Sequence, residues 1–341
     1  MLNKLLRLTV SIALLTRLAL WTDWGPVRSS FADMRWEYWM AAVGLLIVAQ
    51  VISAWRWKLY ADRLGLARPL GRLTGFYFIG MFFNLMLPTS VGGDVVRAWY
   101  LDGQSGQRLP AFASVLLDRL NGLVVLVALA CLAVTLSPLV LPAWITWSVW
   151  GVAAGGTLGL AGLLVVTRRA PYMPSQASAP ASKLTQLRNM LGMFCQPRIP
   201  PGTLLLSVLV QAGNVGVVWL IGQAIHAPIP AAYYWVMVPM VSLLTLLPIS
   251  VNGMGVREEA TVLFLAPLGV AAGTALTLSV LWFAVSASVS LLGGVVYLLG
   301  HFSKLEAPAR MAAHAHTREV TCGSLGGDSD QGRAGQRRQA A

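Results

Sequence analysis

Charge is what this sequence has least of. Only 11% of its 341 residues are Asp, Glu, Lys or Arg, whereas a soluble domain carries about a quarter. That deficit excludes a water-soluble globular domain. Three cysteines, Cys131, Cys195 and Cys322, stand far apart and show no metal-ligand spacing. Four histidines, His226, His301, His314 and His316, fall at the end of an apolar run or in the polar C-terminal stretch. There is no Ser-His-Asp set, no P-loop, and no Gly-x-Gly-x-x-Gly following a strand. No catalytic residue, cofactor or metal site is therefore predicted. A net charge of +12 would point to nucleic acid in a soluble protein. Here the basic residues gather between apolar runs with no interleaved aromatic patch, so nucleic acid is not a predicted partner.

What is present is apolar length. Hydrophobic residues make up 56% of the chain and the mean hydropathy is +0.67. Eight segments read as helical candidates: Leu5–Leu20, Glu37–Trp55, Leu73–Pro88, Ala113–Leu136, Trp144–Val166, Thr203–Ile225, Tyr233–Pro248 and Ala271–Gly300. A bilayer core takes about 20 apolar residues as helix, so an all-α polytopic membrane protein is predicted. Leu5–Leu20 has basic residues ahead of it, but Arg17 interrupts it and no small-residue cleavage site follows. It reads as a retained helix. Trp21, Trp24, Trp36, Trp39, Trp55, Trp57 and Trp144 lie near span ends, where indoles favour the membrane interface.

Loop charge sets the expected orientation. Arg56–Arg72 and Arg168–Arg198 each hold five Lys or Arg, while Pro138–Ala143 and His226–Ala232 hold none. The positive-inside rule puts both basic segments in the cytoplasm. That requires an even number of crossings between them, which Leu73–Pro110 supplies only by entering and returning on one side. The same reasoning makes Tyr233–Gly269 re-entrant. The expectation is six full spans and two re-entrant hairpins, with both termini cytoplasmic. Residues 1–302 form the membrane domain, with halves 1–138 and 144–302, and residues 303–341 read as a polar, disordered tail.

The two hairpins share a sequence. Leu87-Pro-Thr-Ser-Val-Gly-Gly-Asp-Val-Val-Arg97 laid over Leu247-Pro-Ile-Ser-Val-Asn-Gly-Met-Gly-Val-Arg257 matches at seven of eleven positions, 160 residues apart. With hairpins entering from opposite faces the halves form an inverted repeat, which places a transporter's substrate at the junction of broken helices. Free amides at Gly92, Gly93, Gly253 and Gly255 would suit an anionic head group. Pro and Gly breaks also serve helix packing alone.

Charged residues sit where apolar ones belong: Asp94 and Arg97 in the first break, Arg257, Glu258 and Glu259 after the second, and Asp118 and Arg119 within an apolar run. An ionisable group inside a bilayer costs about 3 kcal/mol on insertion scales and marks a functional candidate. One reading makes Arg97, Arg119 and Arg257 a basic lining for a lipid phosphate, balanced by Asp94, Asp118 and Glu258. The other makes Asp94–Arg97 and Asp118–Arg119 structural pairs that hold hairpins to helices.

At these motifs the chain resembles the membrane domain of lysylphosphatidylglycerol synthases, a flippase-like family. The matching pieces are Asn84-x-x-x-Pro88, Gly92-Gly93-Asp94-x-x-Arg97, Ser114-x-x-x-Asp118-Arg119-x-x-Gly122 and Pro248-x-Ser250-x-x-Gly253-x-Gly255-x-Arg257-Glu258. The resemblance implies a bacterial or archaeal inner-membrane protein that moves an anionic phospholipid or a polyprenyl-linked lipid between leaflets. Only residues 303–341 follow the membrane part, too few for the soluble aminoacyl-transferase domain of two-part members. A stand-alone member without synthase activity is expected. The alternatives are a membrane enzyme acting on a lipid-linked donor and an accessory protein that positions one. A separate lipid-modifying enzyme and a second copy of the chain are the protein partners left open.

Overall fold

The computed structural model describes residues 32–87, 92–103, 107–139, 141–169, 202–246, 250 and 252–300, with isolated positions between 9 and 28. The predicted span Leu5–Leu20 as a whole, Pro88, the basic segment 170–198 and the tail 303–341 lie outside the described residues.

Nine α-helices are described: α1 (Trp36–Arg63), α2 (Leu70–Met86), α3 (Gly92–Asp102), α4 (Arg108–Leu136), α5 (Ala143–Arg169), α6 (Thr203–Ala224), α7 (Ala231–Leu246), α8 (Val256–Leu265) and α9 (Ala272–Leu299). A 3-10 turn at Ala266–Leu268 follows α8, and no strand occurs among the described residues. By length and composition α1, α4, α6 and α9 can each cross a membrane. A helix rises 1.5 Å per residue, so α3 and α8, at 11 and 10 residues, are far too short to do so.

The helices repeat as the sequence does. Adding 160 to Met86, the end of α2, lands on Leu246, the end of α7. The same step carries Asp102 into α8, Leu136 into α9, and Arg63 to one residue short of the end of α6. Each half thus contains a long helix, two short ones and another long one.

In each half the short pair folds back on itself. Phe76 stacks on Tyr100 with ring centroids 5.2 Å apart, while Asn84, two turns further along α2, accepts a hydrogen bond from the Gly93 N–H at 2.8 Å. Helices α2 and α3 therefore run antiparallel. Helices α7 and α8 do the same, with the Tyr233 hydroxyl donating to the Phe264 carbonyl at the far end and Gly253 against Thr245 near the break. Glycine makes the first pairing close: a Cβ on Gly93 would strike the Gly80 carbonyl, and one on Gly80 would strike the Arg97 side chain.

The most extensive helix–helix contact joins the two halves through corresponding helices, α1 and α6. Small residues permit it, since Gly213 faces Ala49 and Gly216 faces Leu45. Helix α9 crosses α2 as closely, its Gly293 lying against the Phe78 carbonyl. The apolar core runs through α6, α7 and α9 and includes Val218, Ile221, Met237, Val241, Leu278 and Val285. Leu132, Trp147, Leu158, Leu205 and Leu298 point outward instead, as side chains that face lipid do. The interior Pro239 of α7 removes one helical N–H, a loss membrane helices tolerate when neighbours re-satisfy the backbone.

Candidate functional site

The first half buries a cluster of ions that no apolar segment would hold by itself. Helix α1 continues past the predicted end at Trp55 to Arg63, which carries Arg56 and Trp57 into the interior. Arg56 is thus a buried residue, not part of a cytoplasmic loop. Its Nε donates to Asp118 Oδ1 on α4 at 2.7 Å, and its Nη1 donates to the Ser207 hydroxyl on α6 at 2.9 Å. Asn121 donates to the same hydroxyl at 2.9 Å, and Gln211 donates to the Gly122 carbonyl at 3.0 Å. These bonds tie α1 and α4 of the first half to α6 of the second. Gly122 leaves room for the Arg56 guanidinium, which lies 3.3 Å from where a Cβ would stand.

Arg97 lies beside this pair. Its Nη2 meets Asp118 Oδ2 at 3.4 Å and its Nη1 meets Asp94 Oδ1 at 3.7 Å. Its guanidinium carbon sits 4.0 Å from the Tyr77 ring centroid and 4.3 Å from that of Trp57, a double cation–π contact. Trp57 is held in turn by its indole N–H, which donates to the Ser114 hydroxyl at 3.1 Å. Arg119 reaches Asp94 Oδ2 at 2.5 Å. Three guanidiniums thus share two carboxylates. All but the partly exposed Arg119 are buried.

Two expectations need correction. Asp118 and Arg119 do not pair with each other. Neighbouring residues on a helix point about 100° apart, so Asp118 turns to Arg56 and Arg97 while Arg119 crosses to Asp94 on α3. Asp94–Arg97 does form, as a long contact. Nor are the Gly93 and Gly255 amides free for a head group. Gly93 donates to Asn84, and Gly255 donates to Glu258 Oε2 at 2.7 Å.

The second break is plainer. Gly253 and Gly255 take positive φ values of 75° and 83°, a region that glycine enters without steric cost. The Glu258 carboxylate caps the start of α8 through Gly255 and accepts a bond from the Ser279 hydroxyl at 3.3 Å. Arg257 contacts Glu258 at 3.7 Å and lies over the Phe283 ring at 5.0 Å. Ser250 is buried in the same break. The two breaks touch, as Asn252 donates to the Leu85 carbonyl at 3.4 Å. Arg257 itself has no ion contact with the first-half cluster among the described residues.

Sequence reading missed Arg56, Trp57, Tyr77 and Ser207. Tyr77, at least, carried a signal: it sits on the helix that bears Asn84 and within reach of the first break.

No curated protein matches this chain. The family model for the lysylphosphatidylglycerol synthase TM region matches residues 4–294, which takes in both breaks, the buried ion cluster and most of α9. The chain belongs to the lysylphosphatidylglycerol synthase transmembrane-region family.

Proposed function

We propose that this protein moves an anionic phospholipid or a polyprenyl-linked lipid between the leaflets of a bacterial or archaeal inner membrane. The observation that carries the reading is the ion cluster at the first break, where the buried Arg56 and Arg97 and the partly exposed Arg119 gather round Asp94 and Asp118. Ionisable groups in the apolar interior of a membrane protein are costly and mark substrate pathways. Guanidinium is also the side chain best shaped for phosphate. The position of the cluster adds support. It sits at a broken helix next to a helix-for-helix repeat, the architecture in which transporters place their substrates. In this reading the pairs α2–α3 and α7–α8 re-enter from opposite faces, and both termini are cytoplasmic.

The test is leaflet exchange in proteoliposomes, with labelled phosphatidylglycerol and a labelled polyprenyl phosphate as parallel probes. The protein should speed exchange of at least one of them by about tenfold over protein-free vesicles, equivalent to about 1.4 kcal/mol of barrier. Mass spectrometry of the recovered lipid should find it unaltered. A covalently changed lipid would make the chain a membrane enzyme. Absence of both exchange and product would leave the accessory role.

A further inference from the structure

The matched arginines occupy equal places in the repeat and unequal surroundings. Arg97 has two carboxylates and two aromatic rings around it. Adding 160 to the members of its cluster puts Met254 at the place of Asp94, Met237 at Tyr77 and Leu278 at Asp118. A shift of register would not restore them, because α6, α7 and α9 contain no Asp, Glu, Lys or Arg. Between residues 203 and 300 the only basic residue of the Lys/Arg kind is Arg257, and the only acidic ones are Glu258 and Glu259.

Neither carboxylate satisfies it. Glu259 pairs with Arg17 at 3.6 Å. Glu258 spends one oxygen on the Gly255 N–H and shares the other with Ser279, which leaves Arg257 the 3.7 Å contact. Among the described residues the Arg257 guanidinium donates no hydrogen bond. Its Nε is buried without an acceptor and the side chain is only 10% exposed; the Nε of Arg97 is buried without one too, but Arg97 donates to Asp118 through Nη2 at 3.4 Å. The Ser250 hydroxyl, in the same break, is likewise buried without a partner. Because Glu258 already caps α8, the helix N-terminus does not serve as an anion site here. A guanidinium carries five N–H donors in a fork that fits two oxygens of a phosphate.

We infer that Arg257, with Ser250 in the same break, is the seat for the phosphate oxyanion, while Arg97 is a fixed cation that holds the first-half cluster together. This inference rests on the reading of the chain as a carrier of a phosphate-bearing lipid. It assigns the two halves different tasks: one half is locked by its own ions, and the other is left open to a ligand's.

The experiment uses the full chain. Native mass spectrometry in detergent measures phosphatidylglycerol binding, and phosphatidylcholine vesicles doped with labelled phosphatidylglycerol measure exchange. The proteins compared are the wild type, Arg257→Gln, Arg257→Lys and Arg97→Gln. Arg257→Gln should weaken binding by about tenfold or more, and Arg257→Lys should restore part of it as a charge without the fork. The lipid-free melting temperature should hold or rise in Arg257→Gln, which removes a poorly compensated buried charge, and should fall in Arg97→Gln. Wild-type binding and exchange in both Arg257 variants would overturn the seat and leave lipid movement standing. Arg257-dependent binding without exchange by the wild type would overturn lipid movement and leave the seat standing. If inorganic phosphate displaces the lipid, the oxyanion chemistry is supported. If phosphate raises the melting temperature through Arg257 while phosphatidylglycerol does not bind, the seat belongs to a free phosphate and the lipid assignment falls.

Discussion

Asp118 neutralises two guanidiniums at once, Arg56 at 2.7 Å and Arg97 at 3.4 Å, and is almost entirely out of contact with solvent. Removing one member of a buried ion group leaves the others uncompensated, at a cost of about 3–5 kcal/mol. Asp118→Asn should therefore destabilise the fold by about that amount. Arg56→Met should cost less, because Arg97 stays within reach of Asp118 and the substitution keeps most of the volume. Thermal unfolding in detergent checks the order; a larger loss in Arg56→Met would mean that Arg56 stabilises through Ser207 more than through charge. The residue scale is also where sequence reading was weakest. Arg56 sits between two tryptophans at the end of an apolar run, the composition of a membrane interface. Its partners Asp118 and Ser207, 62 and 151 residues later, hold Arg56 in the interior. A partner that far along the chain leaves no local trace. The same holds for Arg119, whose adjacent Asp118 suggested a pair while its partner Asp94 lies on another helix.

At the scale of elements, glycine contacts set how the short helices pack. Gly93 meets the Gly80 carbonyl and the Asn84 side chain, and Gly293 meets the Phe78 carbonyl. Gly93→Ala and Gly293→Ala should each destabilise the protein by about 1–3 kcal/mol through forced separation of helices. Gly44→Ala, on an open face of α1, should be neutral or slightly stabilising through helix propensity. Melting temperatures of the three variants test this, and equal behaviour of all three would show that the close crossings are not limiting. Elements were the most legible part of the sequence. Seven of the eight predicted apolar segments correspond to described helices, and the 160-residue offset seen in eleven residues extends to the helix ends. Hydropathy and Pro-Gly punctuation are local properties, so they survive without tertiary information. The overrun of α1 by eight residues past Trp55 came from a contact between distant residues instead.

For the whole molecule, the sequence predicted an all-helical membrane protein with two matched breaks, and the family match covers both. The number of crossings depends on which face each short pair enters. With Cys131, Cys195 and Cys322 replaced by Ser, single cysteines at Gly92 and Gly253 should react with a membrane-impermeant thiol reagent from opposite sides of sealed vesicles. Labelling of both from one side would overturn the inverted arrangement. Loop charge could suggest that arrangement only through the segments between helices, and much of the second basic segment lies outside the described residues.

The hydrogen bond from Asn252 to the Leu85 carbonyl joins these scales. Asn252 has a left-handed φ of 51°, which asparagine tolerates better than most residues, and it stands at the place that Gly92 holds in the other half. One break thus grips the backbone of the other by a side chain its counterpart lacks. A hydrogen bond of this kind contributes about 1 kcal/mol net, little enough to release by thermal motion and enough to favour a resting position. The two halves are in that sense mechanically reciprocal: displacing one break either carries the other along or unlatches it.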